Sequence, residues 1–260
     1  MTTSERGRVF GEVAEDYHRI RPGYPAGLPA ELLALAGPGP VLEVGAGTGK
    51  ATAAFAALGA DLTCLEPDPR MAGVLRRTVP GVPVIESTFE SWTPDRAYRL
   101  LISAQAWHWV DPGRRNTLAH AALAPGGLLA PFWNIFVLTD RALHADLTEV
   151  DARHGLSGEK SPHSLFAGDV PAEPGDFQED WPTLALPPDL FTGPRTLRYR
   201  TERTYTPDEY RTHLQSVSLY RTMSPTDAEA AITDTLTTIA RHSPTITFLT
   251  YTDVALARRR

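Results

Sequence analysis

The chain is poor in cysteine and lacks long apolar runs. Its single cysteine, Cys64, excludes both a disulfide within the 260 residues and a cysteine cluster for zinc. No apolar run approaches the ~18 residues that a membrane-spanning helix needs. Residues 1–10 are also too polar to form the apolar core of a signal peptide. We therefore expect a cytoplasmic protein that has no membrane partner.

The chain also lacks an excess of positive charge. Lysine and arginine number 25 against 31 aspartates and glutamates, so the formal net charge is −6. Nucleic acid is not expected as a partner, because neutralising its phosphates usually takes a basic face. The histidines at 154, 163 and 213 show no metal-ligand spacing. We expect a small-molecule partner, no bound metal, and a monomer or homodimer.

Short apolar runs alternate with helix-forming runs between residues 40 and 135. The predicted strands are 41–44, 61–65, 82–85, 100–104 and 127–132, and the predicted helices between them are 51–58, 71–77 and 114–123. Strands that alternate with helices indicate right-handed βαβ units around a parallel sheet.

The flanking segments have a different character. The chain has 23 prolines, and twelve of them lie within 22–40 and 162–194. Residues 157–195 are too long and too rich in proline for a plain loop, so they form either a cover or a flexible insertion. Beyond this stretch the pattern predicts strands at 196–204 and 245–255, and helices at 207–214 and 227–240.

A glycine loop follows the first predicted strand and opens a helix. Gly45, Gly47 and Gly49 form a G-x-G-x-G pattern. A P-loop is excluded because it would need glycine at Val44 and serine or threonine at Ala51. The dinucleotide pattern G-x-G-x-x-G fails because its third glycine would fall on Lys50.

Two acidic residues narrow the ligand of this loop. Glu43 precedes the first glycine, where its carboxylate would repel a pyrophosphate and suit a cationic amino group. Glu66 ends the second predicted strand, a position that can accept hydrogen bonds from a ribose diol. A ligand with an ammonium, a ribose and no phosphate fits both, and S-adenosylmethionine is such a ligand.

These motifs resemble those of the class I S-adenosylmethionine-dependent methyltransferases. The resemblance is carried by residues 41–49, 66–68, 103–109 and 123–127. Within that class the chain looks like the small-molecule group similar to trans-aconitate methyltransferase (methyltransferase type 11-like). The resemblance implies an α/β fold with a Rossmann-like, doubly wound, mostly parallel seven-stranded sheet, N-terminal helices and a C-terminal cover.

The resemblance also implies a division of the chain and a cofactor site. We expect an N-terminal helical lid (1–40), a cofactor-binding core (41–139), an insertion that covers the substrate (140–195), and strands and helices that complete the sheet (196–260). Glu43 would face the methionyl ammonium, and Glu66 would bind the ribose hydroxyls. The implied cofactor residues are Glu43, Gly45, Ala46, Gly47, Thr48, Gly49, Glu66, Pro67, Met71, Thr88, Phe89, Ser103, Ala104 and Gln105.

The resemblance implies less about the residues that would bind the molecule receiving the methyl group. His108 is a candidate general base, or else it packs between its two tryptophan neighbours. Tyr17 and Arg21 would belong to a lid, or to an ordinary amphipathic helix. An aromatic substrate mouth, or alternatively core packing, is predicted for Trp107, Trp109, Trp133 and Asn134.

The predicted reaction is an in-line transfer of the methyl group to an O, N or C nucleophile of a small molecule. The alternative is a protein on the same fold that binds the cofactor only, or that performs cyclisation or decarboxylation. A nucleic-acid methyltransferase would carry a motif such as Asn-Pro-Pro-Tyr where this chain has residues 103–106. High alanine, arginine and proline usage suggests a bacterial source and secondary metabolism.

Overall fold

The computed structural model describes residues 14–15, 18, 23–156, 161–170 and 186–260. Seven strands in these residues form one sheet in the order β3-β2-β1-β4-β5-β7-β6. The strands are β1 (Val41–Val44), β2 (Leu62–Leu65), β3 (Val84–Ile85), β4 (Tyr98–Ala104), β5 (Leu123–Leu138), β6 (Phe191–Tyr205) and β7 (Ile246–Arg259).

The sheet is parallel except at one edge. Strands β1 to β5 pair in parallel, whereas β7 is antiparallel to both β5 and β6. The prediction of a Rossmann-like, mostly parallel seven-stranded sheet is therefore confirmed. The strands predicted near the C-terminus were too short, and β6 begins at Phe191, inside the segment assigned to the cover. The four-part division of the chain otherwise stays a prediction.

Helices cover both faces of the sheet. Within β4, Leu100 and Ile102 join a buried cluster with Leu28 and Phe55, whereas Leu101 joins the cluster on the opposite face. This alternation follows from the two-residue period of a strand. The described helices are α1 (Gly27–Ala36), α2 (Lys50–Ala56), α3 (Pro69–Thr78), α4 (Arg115–Ala122), α5 (Arg141–Arg153), α6 (Pro207–Gln215), α7 (Ser218–Arg221) and α8 (Pro225–His242).

The register of β1 brings three chain segments to one edge. Val44 pairs with Leu65 of β2, and Glu43 pairs with Ile102 of β4. The residues that follow these three strands must therefore emerge side by side at the carboxyl edge, where open α/β sheets bind ligands.

A buried hydrogen-bond network ties residues 161–170 to α5 and α6. The ring of His163 lies 2.9 Å from a carboxylate oxygen of Asp151 through Nδ1, and 2.7 Å from the hydroxyl of Tyr210 through Nε2. All three side chains are buried. Because a carboxylate only accepts, Nδ1 donates to Asp151, and in the neutral imidazole Nε2 then accepts from the tyrosine hydroxyl.

We expect Tyr210→Phe to lower the free energy of unfolding by about 1 to 3 kcal/mol, because it leaves the buried Nε2 of His163 without a donor. Urea unfolding would measure the change. Tyr251→Phe is the matched control, since that ring lies beneath the guanidinium of Arg198 and outside the network. The control should change the value by less than Tyr210→Phe does, because no hydrogen-bond acceptor of the network loses its donor. Equal effects of the two substitutions would contradict the conclusion that the hydrogen bond between Tyr210 and His163 stabilises the fold.

Candidate functional site

A cavity of about 530 Å³ lies at the carboxyl edge of the sheet. One wall is the glycine loop and the turn after β2, and the opposite wall is the chain that follows β4 together with β5. The lining residues are Tyr24, 43–48, Lys50, Ala51, 65–68, Met71, 87–90, 104–106, 108–110, Asn134 and Phe136.

The glycine loop needs glycine for two different reasons. Gly45, Gly47 and Gly49 all have positive φ, at 70°, 57° and 87°. A Cβ on Gly45 would lie 2.4 Å from the Cβ of Ala106, and a Cβ on Gly49 would lie 2.3 Å from Leu75. The loop therefore combines a left-handed backbone with close approach to its neighbours.

The amides of this loop are already used within the protein. Gly45 and Ala46 donate their N–H groups to a carbonyl of β2, at 2.9 and 3.0 Å. Gly47 donates to the carboxylate of Glu66 at 2.7 Å, and Gly49 donates to the carbonyl of Ala46. A phosphate-binding loop instead points such groups at the anion. The geometry agrees with the sequence argument against a phosphate ligand.

Glu43 is a fully buried carboxylate on the cavity wall. Its Oε2 accepts a hydrogen bond of 2.7 Å from the hydroxyl of Thr52. Its Oε1 is buried and has no partner among the described residues. Desolvation raises the pKa of Glu43 to about 7. A cation in the cavity would satisfy the free oxygen and restore the charge.

Glu66 is also buried, but both of its oxygens have donors. Oε1 accepts from the backbone N–H of Asp68 at 2.9 Å, and Oε2 accepts from Gly47. Desolvation raises the pKa of Glu66 to about 7, against the opposing effect of these hydrogen bonds. Because a carboxylate offers about four lone-pair positions, Glu66 can accept further hydrogen bonds from a ligand.

The end of β4 carries the strained residue of the site. Gln105 has φ 61°, the only positive value at a non-glycine position in the described part of the chain. Its backbone N–H donates to Phe132 at 2.9 Å, and its Nε2 donates to the carbonyl of Asn134 at 3.4 Å. Such strain is typical of ligand sites, and nothing in the sequence indicated it.

Three of the predicted ligand positions do not line the cavity. Ser103 was expected to line the cofactor, yet its hydroxyl is buried and donates to the carbonyl of Val44 at 2.8 Å. Trp107 is fully buried, with its ring centroid 6.0 Å from that of Phe89, so it belongs to the core and not to a substrate mouth. Trp133 is 3% exposed and is also in the core. Burial of large rings stabilises the fold, which explains both tryptophans.

His108 lines the cavity beside Trp109, at 4.5 Å between ring centroids. The indole Nε1 of Trp133 donates to its Nδ1 at 3.3 Å. Desolvation, together with the positive charge of Arg115, lowers the pKa of His108 to about 4. A general-base role for this residue stays a prediction.

The other predicted cofactor residues line the cavity, except Gly49. Gly49 lies at the end of the glycine loop and packs against Leu75. Asn134 also lines the cavity, and its Oδ1 accepts from the hydroxyl of Thr252 at 2.7 Å. Tyr17 and Arg21 lie outside the described residues. What these residues bind stays a prediction.

Several cavity residues were missed by the sequence reasoning, Lys50, Tyr24 and Phe136 among them. Lys50 follows the glycine loop directly, and Tyr24 precedes the first described helix. Phe136 lies two residues after Asn134 on the same strand, and therefore on the same face of the sheet. This spacing could have predicted from the sequence that Phe136 lines the cavity. The described residues contain no group of three or more histidines, cysteines or acids able to hold a metal ion.

No helix in the described ranges has the length and apolar character needed to cross a membrane.

Part of the chain is similar to known methyltransferases. A model of a methyltransferase domain matches residues 41–127. An uncharacterised methyltransferase of Mycobacterium tuberculosis is 39% identical over 137 residues, which is 52% of this chain and 56% of that protein. A methyltransferase-like protein of Schizosaccharomyces pombe is 29% identical over 132 residues, 49% and 52% of the two chains. The chain thus spans about half the length of the curated relatives that it matches.

Solved structures support the fold. A structure from Anaeromyxobacter dehalogenans, assigned as a type II methyltransferase, has a TM-score of 0.64 at 23% identity and covers 92% of this chain and 97% of its own. A protein of Bacillus halodurans assigned as a methyltransferase has a TM-score of 0.53 at 16% identity, with 91% and 99% covered. These structures share the fold of this chain, and the matched segment 41–127 contains the glycine loop and Glu66.

Proposed function

We propose that the protein binds S-adenosylmethionine and transfers its methyl group to an O, N or C atom of a small molecule, releasing S-adenosylhomocysteine. The observation that carries the proposal is the buried, unpartnered Oε1 of Glu43, a residue that lines a cavity beside a glycine loop that is not arranged for phosphate. We further propose a cytoplasmic monomer or homodimer in bacterial secondary metabolism, without nucleic-acid or membrane partners. That extension rests on composition and charge alone.

The described residues fit the cofactor along the cavity. Glu43 supplies a carboxylate for the methionyl ammonium, where only one of its oxygens is already used. Glu66 supplies acceptors for the ribose hydroxyls at the end of β2. Met71 and Phe89 offer apolar surface for the adenine. When bound, the cofactor supplies a methyl group that is already activated for displacement.

The other half of the cavity is suited to the acceptor. Tyr24, Trp109 and Phe136 provide apolar walls, and His108 and Asn134 provide polar groups among them. Such a mixture holds a planar or apolar molecule and orients it through a few hydrogen bonds. Because the methyl group is activated, alignment of the acceptor and exclusion of water can supply much of the acceleration.

The product mass tests the proposal directly. We expect incubation with S-adenosylmethionine and a panel of phenols, carboxylic acids and amines to yield a product heavier by one CH₂ unit, with an equal amount of S-adenosylhomocysteine. Mass spectrometry measures both. Tight binding of S-adenosylhomocysteine without any methylated product would instead favour a binding protein or different chemistry on the same fold.

Glu66→Ala should abolish detectable binding of S-adenosylhomocysteine in calorimetry, because it removes the ribose acceptor and releases the amide of Gly47. Glu66→Gln should retain partial affinity, since one oxygen acceptor remains. Glu86→Ala is the matched control, as that carboxylate is exposed and lies outside the cavity. Affinity retained in Glu66→Ala would refute the assignment of this residue.

The affinity for S-adenosylhomocysteine should fall about tenfold between pH 8 and pH 6. A group with a pKa of about 7 in the free protein becomes neutral over this range, and neutral Glu43 no longer attracts the ammonium. Calorimetry of Glu43→Gln should show weaker binding and a flatter pH dependence. The pH dependence that remains in Glu43→Gln would come from Glu66, because burial raises the pKa of Glu66 to about 7 as well. An unchanged slope in Glu43→Gln would contradict the role of Glu43.

A further inference from the structure

The hydrogen bond between Trp133 and His108 determines where the proton of the imidazole lies. An indole Nε1 can only donate, so Nδ1 of His108 must be the acceptor of the 3.3 Å hydrogen bond. A neutral imidazole has one donor and one acceptor nitrogen. With Nδ1 as the acceptor, the hydrogen of His108 is on Nε2.

The surroundings of His108 favour this neutral state. The ring is largely desolvated, and Arg115 is the charged group that acts on it, so the pKa of His108 is about 4. Protonation of Nδ1 would also set its N–H against the indole N–H of Trp133, with two donors face to face. Both effects oppose uptake of a proton at neutral pH.

The free nitrogen of His108 belongs to the acceptor half of the cavity. His108 lines that half, and its Nε2 has no hydrogen-bond partner among the described residues. The Oδ1 of neighbouring Asn134 accepts from the hydroxyl of Thr252, and its Nδ2 donates to the carbonyl of Gly23 at 3.4 Å. The Nε2 of His108 is thus a polar atom of this half that no described side chain or backbone group engages.

We propose that His108 donates its Nε2–H to an oxygen of the methyl acceptor, and that Trp133 is the positioning residue that holds the ring in this state. The inference rests on the proposed function in its use of a methyl acceptor. His108 then orients the acceptor and does not remove its proton, in contrast to the general base predicted from the sequence. The acceptor belongs to the class of molecules with a carboxylate, carbonyl or ionised hydroxyl oxygen.

The electron balance of the transfer is consistent with this role. A lone pair of the acceptor forms the new bond to the methyl carbon, and the electron pair of the carbon–sulfur bond leaves with sulfur. If the attacking atom is an ionised oxygen, no proton is released and none has to reach His108. A general base is needed only for a nucleophile that still carries its proton.

The tautomer can be measured without cofactor or turnover, so this test is independent of the proposed function. Long-range ¹H–¹⁵N NMR spectra of the full chain at pH 7.5, with His108→Gln to identify the signals, should show Nε2 protonated and Nδ1 unprotonated. Trp133→Phe should let the Nδ1-protonated form appear. An Nδ1-protonated or doubly protonated His108 in the unsubstituted protein would overturn the inference.

A pair of probes tests the donor role. Benzoate and benzylammonium have similar size, but only benzoate presents oxygen lone pairs. In the presence of S-adenosylhomocysteine, His108→Ala should weaken benzoate binding about 3- to 10-fold and leave benzylammonium unchanged. His108→Gln keeps an N–H donor near the position of Nε2, so it should bind benzoate within about threefold of the unsubstituted protein. Benzoate binding that is indifferent to His108→Ala would overturn the proposal.

Discussion

The burial of two carboxylates at neighbouring strand ends is the constraint on which the site depends. A buried carboxylate is costly unless hydrogen bonds or a cation compensate for lost hydration. Glu66 obtains two backbone donors, and one of them, the amide of Gly47, holds the glycine loop against β2. Glu43 obtains one hydroxyl donor and keeps a free oxygen. The same constraint that shapes the loop therefore leaves a position for a cationic ligand.

The parallel sheet brings these carboxylates and residues from other strands to one cavity. Parallel pairing of β1 with β2 and β4 brings three strand ends to one edge. The glycine loop and Glu66 line one side of the cavity, where we propose that the cofactor binds, while the chain after β4 and the middle of β5 line the side proposed for the acceptor. The strained backbone of Gln105 lies at the junction between them.

Sequence reasoning predicted most of the residues that line the cavity beside the glycine loop, but it did not predict the directions of individual aromatic rings. Trp107 and Trp109 flank His108 in a single turn of 3₁₀-helix (Trp107–Trp109), which rotates successive side chains by about 120°. Trp107 consequently enters the core, while His108 and Trp109 reach the cavity. A run of aromatic residues carries no periodicity that could distinguish these directions, and the buried hydroxyl of Ser103 was equally hidden.

The sequence by itself determined the parallel α/β core and the glycine loop, because the strand, the loop and both carboxylates lie within 41–68 and obey local spacing. Tertiary structure alone brought Tyr24 and Phe136 to the same cavity, since they lie in distant parts of the chain. It also decided the hydrogen-bond partner of His108, because Trp133 lies 25 residues away on β5. A hydrogen bond between side chains of β5 and of the turn after β4 depends on packing, and no local pattern encodes it.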